Sequence, residues 1–312
     1  SEILGKNKNL GYIRLKSFNE NSDKQFLKTV KKFEKDMKIK GYLLDLRNNP
    51  GGLLNQAINI TDFFLNDGEI VSTKGRKISE TRKFFARRGD EIGGKPIVVL
   101  INNGSASASE IFAGAIQDYN RGLIIGQNTF GKGSVQGFKK TNLGQIKLTE
   151  SLYYRVTGKP TQIFGVQPNL EIPTLLDVEE FGESKYSAAI KPTTISEAAF
   201  FKKTAINESK YKKILDQNIA ESSYYQSLSD IKKSRGVQKT KLSLNLEERK
   251  QIYKDNRANS LELVNQRRSL SNLEPFASYE DFENFIDDED FEIDAEIDQS
   301  AKILYEIIEA KI

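Results

Sequence analysis

The chain reads as an α/β protein with a mostly parallel core sheet, followed by a mainly α-helical C-terminal domain. Three observations carry this. Short apolar runs such as Tyr42–Leu46 and Ile97–Ile101 alternate with stretches of helical spacing up to about residue 180, and strand-helix-strand succession favours a parallel sheet. Glycine is frequent before about residue 185 and almost absent after it. Beyond that point, 195–235 and 246–268 are rich in Lys, Glu and Gln, with Tyr211, Leu215 and Ile219 at helical spacing. These shifts divide the chain into residues 1–185 and 186–312.

In order, Gly11–Leu15 predicts a short strand. Ser22-Asp23-Lys24-Gln25 matches a capping box and opens a helix with Phe26, Val30, Phe33 and Met37 on one face. Tyr42–Leu46 predicts a buried strand, Leu53–Leu65 a helix and Glu69–Thr73 a strand. Ile97–Ile101 is a second buried strand, Glu110–Asp118 a helix and Leu123–Ile125 a third strand. Gln145–Thr149 and Leu152–Val156 alternate as two further strands. A last helix carries Ile297, Ala301, Leu304 and Ile308 on one face. No internal repeat is visible.

Composition excludes several classes. The 312 residues carry 47 basic and 43 acidic side chains, net +4. That balance, without dense Lys/Arg interleaved with aromatics, disfavours a nucleic-acid binder. The strongest apolar run, Ile97–Ile101, is far short of a membrane span. The acidic stretch 280–298 holds eleven acids and no base. It lacks the glycine and spacing of a calcium loop and reads as a solvated linker or helix flank. The chain begins at Ser1, not Met, as expected of a mature product or an excised fragment.

The chain has no histidine and no cysteine. A Ser-His-Asp triad, a thiol nucleophile and a Cys/His metal site are therefore out of reach. The remaining common route to nucleophilic chemistry is a hydroxyl activated by a lysine amine. Ser107 sits in Gly104-Ser105-Ala106-Ser107-Ala108-Ser109-Glu110, at the start of a helix whose free amides favour an oxyanion. Read alone, these serines either cap the helix or supply a nucleophile. Lys132 lies between Gly131 and Gly133. A free lysine, with a pKa of about 10.4, is a poor base at neutral pH. Burial disfavours its charged form, whereas an exposed glycine turn leaves it inert. Gln136 follows four residues later, where a neutral amide can orient an amine without stabilising its charge; otherwise it is a surface glutamine. Gly51 and Gly52, after Arg47-Asn48-Asn49-Pro50, form either a plain turn or, with the Ala108 amide, an oxyanion hole.

Together and in this order, Asp45–Gly52, Gly104–Ile111, Gln117-Asp118, Thr129–Gln136 and Gly165–Pro168 closely resemble the C-terminal processing peptidases, over about residues 10–173. The resemblance implies a crotonase/ClpP-like β-β-α core. It assigns Ser107 as nucleophile, Lys132 as base and Gln136 as its assistant. Asp118 matches a functionally important acid of the tail-specific protease branch. A structural role is expected for it, because an anion touching Lys132 would hold the amine charged. Residues 186–312, with Lys241–Leu246 before a charged helix, look like the C-terminal region of that branch. The family usually carries a PDZ domain upstream of the core; Ser1 begins about where it would end, which suggests a truncated chain. Asn169 stands where Asp is common, outside the dyad. The resemblance implies a serine endopeptidase that needs no cofactor. It would act in the periplasm on protein or peptide substrates with accessible C-termini, with an adaptor protein as a further partner. The competing readings are a catalytically silent protein-binding scaffold and an acyl-CoA hydratase or isomerase. The latter needs acidic catalysts that no motif here places.

Overall fold

Buried apolar runs set the middle of the molecule. In the computed structural model, which describes residues 1–5, 8–36, 38–87, 89–174, 181–199, 206–226, 228, 243–270, 273–287 and 295–310, strands β3 (Gly41–Asp45) and β6 (Ile97–Ile101) are buried at every position. Such uninterrupted runs mark strands covered on both faces of a parallel sheet. They pair with each other in parallel, Leu43 opposite Val98. On either side lie β2 (Leu10–Arg14) and β7 (Leu123–Gly126), both parallel to their neighbours. The sheet is completed by β1 (Glu2–Leu4), antiparallel to β2, and by β10 (Leu170–Glu171), giving the order β1-β2-β3-β6-β7-β10.

Helices α1 (Ser22–Glu34), α2 (Leu54–Asp62) and α3 (Ala108–Asp118) join these strands. Phe26, Val30 and Phe33 of α1 enter a core shared with Phe63, Phe64 and Phe112. The predicted capping box at Ser22 does not form. The cap residue is Asn21 in the left-handed region, φ +68, without a side-chain cap, a conformation asparagine tolerates. The Asp23 amide is held instead by Gln56 Oε1 of α2 at 2.8 Å, so packing on α2 supplants the local motif. Met37, expected on the α1 apolar face, lies outside the described residues.

A second, antiparallel sheet has the order β5-β4-β9-β8, built from β4 (Glu69–Gly75), β5 (Arg82–Phe85), β8 (Ser134–Thr141) and β9 (Gly144–Tyr154). The two strands expected over 145–156 are this one strand, β9. Its register against β8 jumps from Val135↔Ser151 to Gln136↔Thr149. Glu150 is the extra residue of a bulge, and its polarity breaks the apolar alternation at that point.

The chain forms two compact units, 1–215 with 296–312, and 216–295. The first unit includes the terminal helix α7 (Ala295–Glu309), which brings Ile303, Leu304 and Ile307 into the interior. Residues 195–199, expected to open a helical segment, run without a helix; α4 (Glu208–Glu221) begins later. The second unit contains α5 (Leu246–Leu270) and α6 (Tyr279–Asp287). There Asn265 exchanges hydrogen bonds with the Phe276 backbone, and Arg268 lies over the Phe276 ring. Asp288, Glu289 and Asp290 of the acidic run lie outside the described residues. Among the described residues no helix is long and apolar enough to cross a membrane.

Gly126 closes β7 at φ +126, and a Cβ there would sit 2.0 Å from the Ile101 carbonyl oxygen. Gly126→Ala is expected to destabilise the first unit by about 1–3 kcal/mol, measured by urea unfolding followed by circular dichroism.

Candidate active site

Parallel strands deliver their following loops to one edge, and here the loops after β3, β6 and β7 meet. The Ser105 hydroxyl donates to the Leu46 carbonyl at 2.8 Å, and Ser109 to the Asn49 carbonyl at 2.9 Å. Asn102 Oδ1 accepts the amides of Asn48 and Gly104 at 2.8 and 3.0 Å. The outer two serines of the run are thus fully buried fasteners between loops, while Ser107 between them is only half-buried.

Ser107 is the N-cap of α3, with φ 57 and ψ −110. An L-residue held there costs on the order of 1–3 kcal/mol and persists only when its surroundings enforce it. The enforcement is visible. Glu110 Oε2 accepts the Ser107 amide at 2.6 Å. Gly51, at φ +95, backs the turn so closely that a Cβ would lie 2.9 Å from Ser107 Cβ and 2.8 Å from the Ala108 amide nitrogen.

The same carboxylate holds the lysine segment. Glu110 Oε2 also accepts the Lys132 amide at 2.9 Å, and Oε1 accepts the Gly131 amide at 2.7 Å and the Thr129 hydroxyl at 2.6 Å. Tyr153 of β9 makes a second bridge. Its hydroxyl lies 3.0 Å from the Ser107 carbonyl oxygen and contacts that of Lys132. Its single proton serves one carbonyl at a time. Behind the lysine, Gly133 donates to Gln162 Oε1 at 2.8 Å, and the Ile163 amide to the Gly131 carbonyl at 2.7 Å.

Glu110 is fully buried, and that burial pushes its carboxyl up to about 7 against the opposing hydrogen bonds from Thr129, Ser107, Gly131 and Lys132. Burial, and then the nearby Glu110 charge, push the Tyr153 hydroxyl well above its ordinary range. Sequence reasoning gave neither residue a role. Glu110 read only as part of the serine motif, and Tyr153 as one residue of an alternating strand.

The other expected site residues fall as follows. Gly51 and Ala108 adjoin Ser107, but the Gly51 amide donates to Asn49 Oδ1 at 2.9 Å. The neighbouring Gly52 is exposed and its backbone runs beside Phe18. Asp118 ends α3, ion-paired with Arg155, whose Nε donates to Oδ2 at 3.0 Å. It is a brace between α3 and the segment after β9. Gln136 is exposed on β8 opposite Thr149, and among the described residues no hydrogen bond joins it to Lys132.

The profile of Peptidase family S41 matches residues 9–172. The chain belongs to peptidase family S41. Residues 176–309 match the C-terminal domain of tail specific protease. A carboxy-terminal-processing protease of Bartonella bacilliformis is 50% identical over 52% of this chain and 38% of that protein. A tail-specific protease of Haemophilus influenzae is 35% identical over 64% of this chain and 30% of its own length. The chain thus spans well under half of these relatives. A solved photosystem II D1 C-terminal processing protease is 34% identical with a TM-score of 0.49, over 54% of this chain and 44% of that one. The S41 match contains Ser107, Glu110, Lys132 and Tyr153 within one span.

The Glu110 carboxyl gives a signed pH dependence. Its folded value of about 7 lies above the ordinary 4.5. Between those values the folded chain retains a proton that the unfolded chain has released. The stability it confers is therefore complete below about 4.5 and is lost as pH rises through about 7. Glu110→Gln removes that fall from urea-unfolding stabilities measured over this range. It also sets an amide NH₂ against backbone donors, lowering stability at every pH by about 1–3 kcal/mol.

Proposed function

We propose that this chain is the peptidase portion of a serine endopeptidase working through a Ser107–Lys132 dyad on proteins with accessible C-termini. The observation that carries the reading is the joint anchoring of the Ser107 and Lys132 backbones on one Glu110 oxygen, at 2.6 and 2.9 Å. Membership of a peptidase family and the absence of His and Cys from the chain support it.

In this mechanism the unprotonated Lys132 amine takes the Ser107 hydroxyl proton as Oγ attacks the substrate carbonyl. The oxyanion faces the amides of Ala108 and Gly52; the Gly51 amide, engaged by Asn49, shapes the turn instead. The lysine, now an ammonium, gives its proton to the leaving amine as the peptide C–N bond breaks. Water then attacks the acyl-serine, giving a proton to Lys132 and releasing the acid, and Ser107 recovers its hydrogen. Gln136 is assigned the orienting of the amine and Asp118 the bracing of α3. A periplasmic location and recruitment through an adaptor belong to the same proposal. Both rest on the resemblance to the tail-specific protease branch, whose C-terminal domain matches residues 176–309.

The test is degradation of an unfolded reporter with an apolar C-terminus. Ser107→Ala and Lys132→Arg are each expected to lower kcat by at least about 10⁴-fold, while both variants keep their fold. Lys132→Arg keeps the positive charge but cannot accept the proton. Wild-type turnover in either variant contradicts the dyad, and binding without cleavage by the unaltered chain favours a silent scaffold.

A further inference from the structure

We propose that Glu296, in the first turn of the terminal helix α7, is a positioning residue of the active site, acting through Arg47 on the glycine loop Arg47–Gly52. The inference rests on the catalytic reading above for its kinetic consequence. Its structural core stands separately.

Arg47 follows β3, five residues before Gly52. Its guanidinium grips Asp45 with two hydrogen bonds, Nε to Oδ1 at 3.0 Å and Nη2 to Oδ2 at 2.7 Å. Asp45 has no solvent exposure and also accepts the Tyr12 hydroxyl at 2.9 Å and the Arg47 amide at 2.9 Å. The remaining arm of the fork, Nη1, donates to Glu296 Oε2 at 2.7 Å. The other Glu296 oxygen accepts Gln127 Nε2 at 3.2 Å, from the residue that follows β7. One carboxylate from residue 296 therefore ties together the loops that leave β3 and β7.

The Arg47 and Glu296 side chains retain only 10% and 21% exposure. At that depth breaking one partner leaves a poorly hydrated charge, so such a pair fixes geometry more strongly than a surface pair. The helix that presents Glu296 is itself well seated. Leu304 and Ile308 methyls lie against Gly41 at the head of β3, and the Tyr305 hydroxyl donates to Asn9 Oδ1 at 2.6 Å. Downstream of Arg47, the loop is strung between fixed points: Asn48 donates to Asn102, and the Asn49 carbonyl accepts from Ala106 and Ser109. A shift of Arg47 is thereby passed to the turn that backs Ser107. The arrangement makes α7 a working part of the peptidase unit.

The experiment compares Glu296→Gln with Tyr305→Phe, which loosens the same helix at its other end without touching the loop. Amide hydrogen exchange is read over 46–53 and, as a reference, over β6. Glu296→Gln is expected to speed exchange of the loop amides by about 10-fold or more, leaving β6 unchanged. Tyr305→Phe is expected to leave the loop as in the unaltered protein. In the reporter assay Glu296→Gln lowers kcat by about 10-fold with KM changed less than about 2-fold, as small misplacements do; Tyr305→Phe keeps kcat. Unchanged loop exchange in Glu296→Gln overturns the proposal, as does equal loop loosening in both variants. Should Glu296→Gln not fold, Glu296→Asp, which keeps the charge but shortens its reach, carries the same comparison. If the unaltered protein does not cut the reporter, the catalytic reading fails, while loop exchange still decides the Glu296 clamp.

Discussion

One buried carboxylate organises this site. Ionised carboxylates are rarely left without water, and Glu110 is accommodated because four donors converge on its two oxygens. Its place three residues after Ser107, in the first turn of α3, puts it where a helix favours negative charge. From there it reaches sideways to the Thr129–Lys132 segment. The candidate nucleophile and the proposed base come from different loops, so no local preference could set their spacing. Glu110 and the Tyr153 hydroxyl set it from two sides, one through amides and the other through carbonyls.

The sheet explains why these loops are available. In an open parallel sheet, sites form beyond the carboxyl ends of the strands. Here the loops after β3, β6 and β7 supply the glycine turn, the serine and the lysine. Ser105, Ser109, Asn49 and Asn102 then fasten the loops to one another through buried hydrogen bonds. That fastening is what sustains an unfavourable backbone at Ser107, the N-cap of α3. The same residue is both a cap and the candidate nucleophile, so the two readings of the serine run describe one geometry.

The parallel core was legible because Tyr42–Leu46 and Ile97–Ile101 are too apolar and too short for anything but buried strands. Ser107 and Lys132 stood out as candidates from their small-residue motifs in a chain without His or Cys, and their pairing came from the family resemblance. Other features depend on contacts that no local pattern reports. Gln56 displaced the expected capping box at Ser22. The bulge at Glu150 disguised one strand as two. Arg47 and Glu296 meet across 249 positions of sequence, and nothing near either residue announces the other. Residues 195–199 open a segment of helical composition, yet they run without a helix, the Ile195 and Ala198 amides donating to the Gly158 and Val156 carbonyls.

The most direct measurement is the rate and place of covalent labelling by a serine-directed fluorophosphonate, mapped by mass spectrometry in the unaltered chain and in Glu110→Gln. The account predicts a single adduct, on Ser107, forming at least about 10-fold more slowly in the variant. Labelling of another serine, or equal rates on Ser107 in the two proteins, would contradict it.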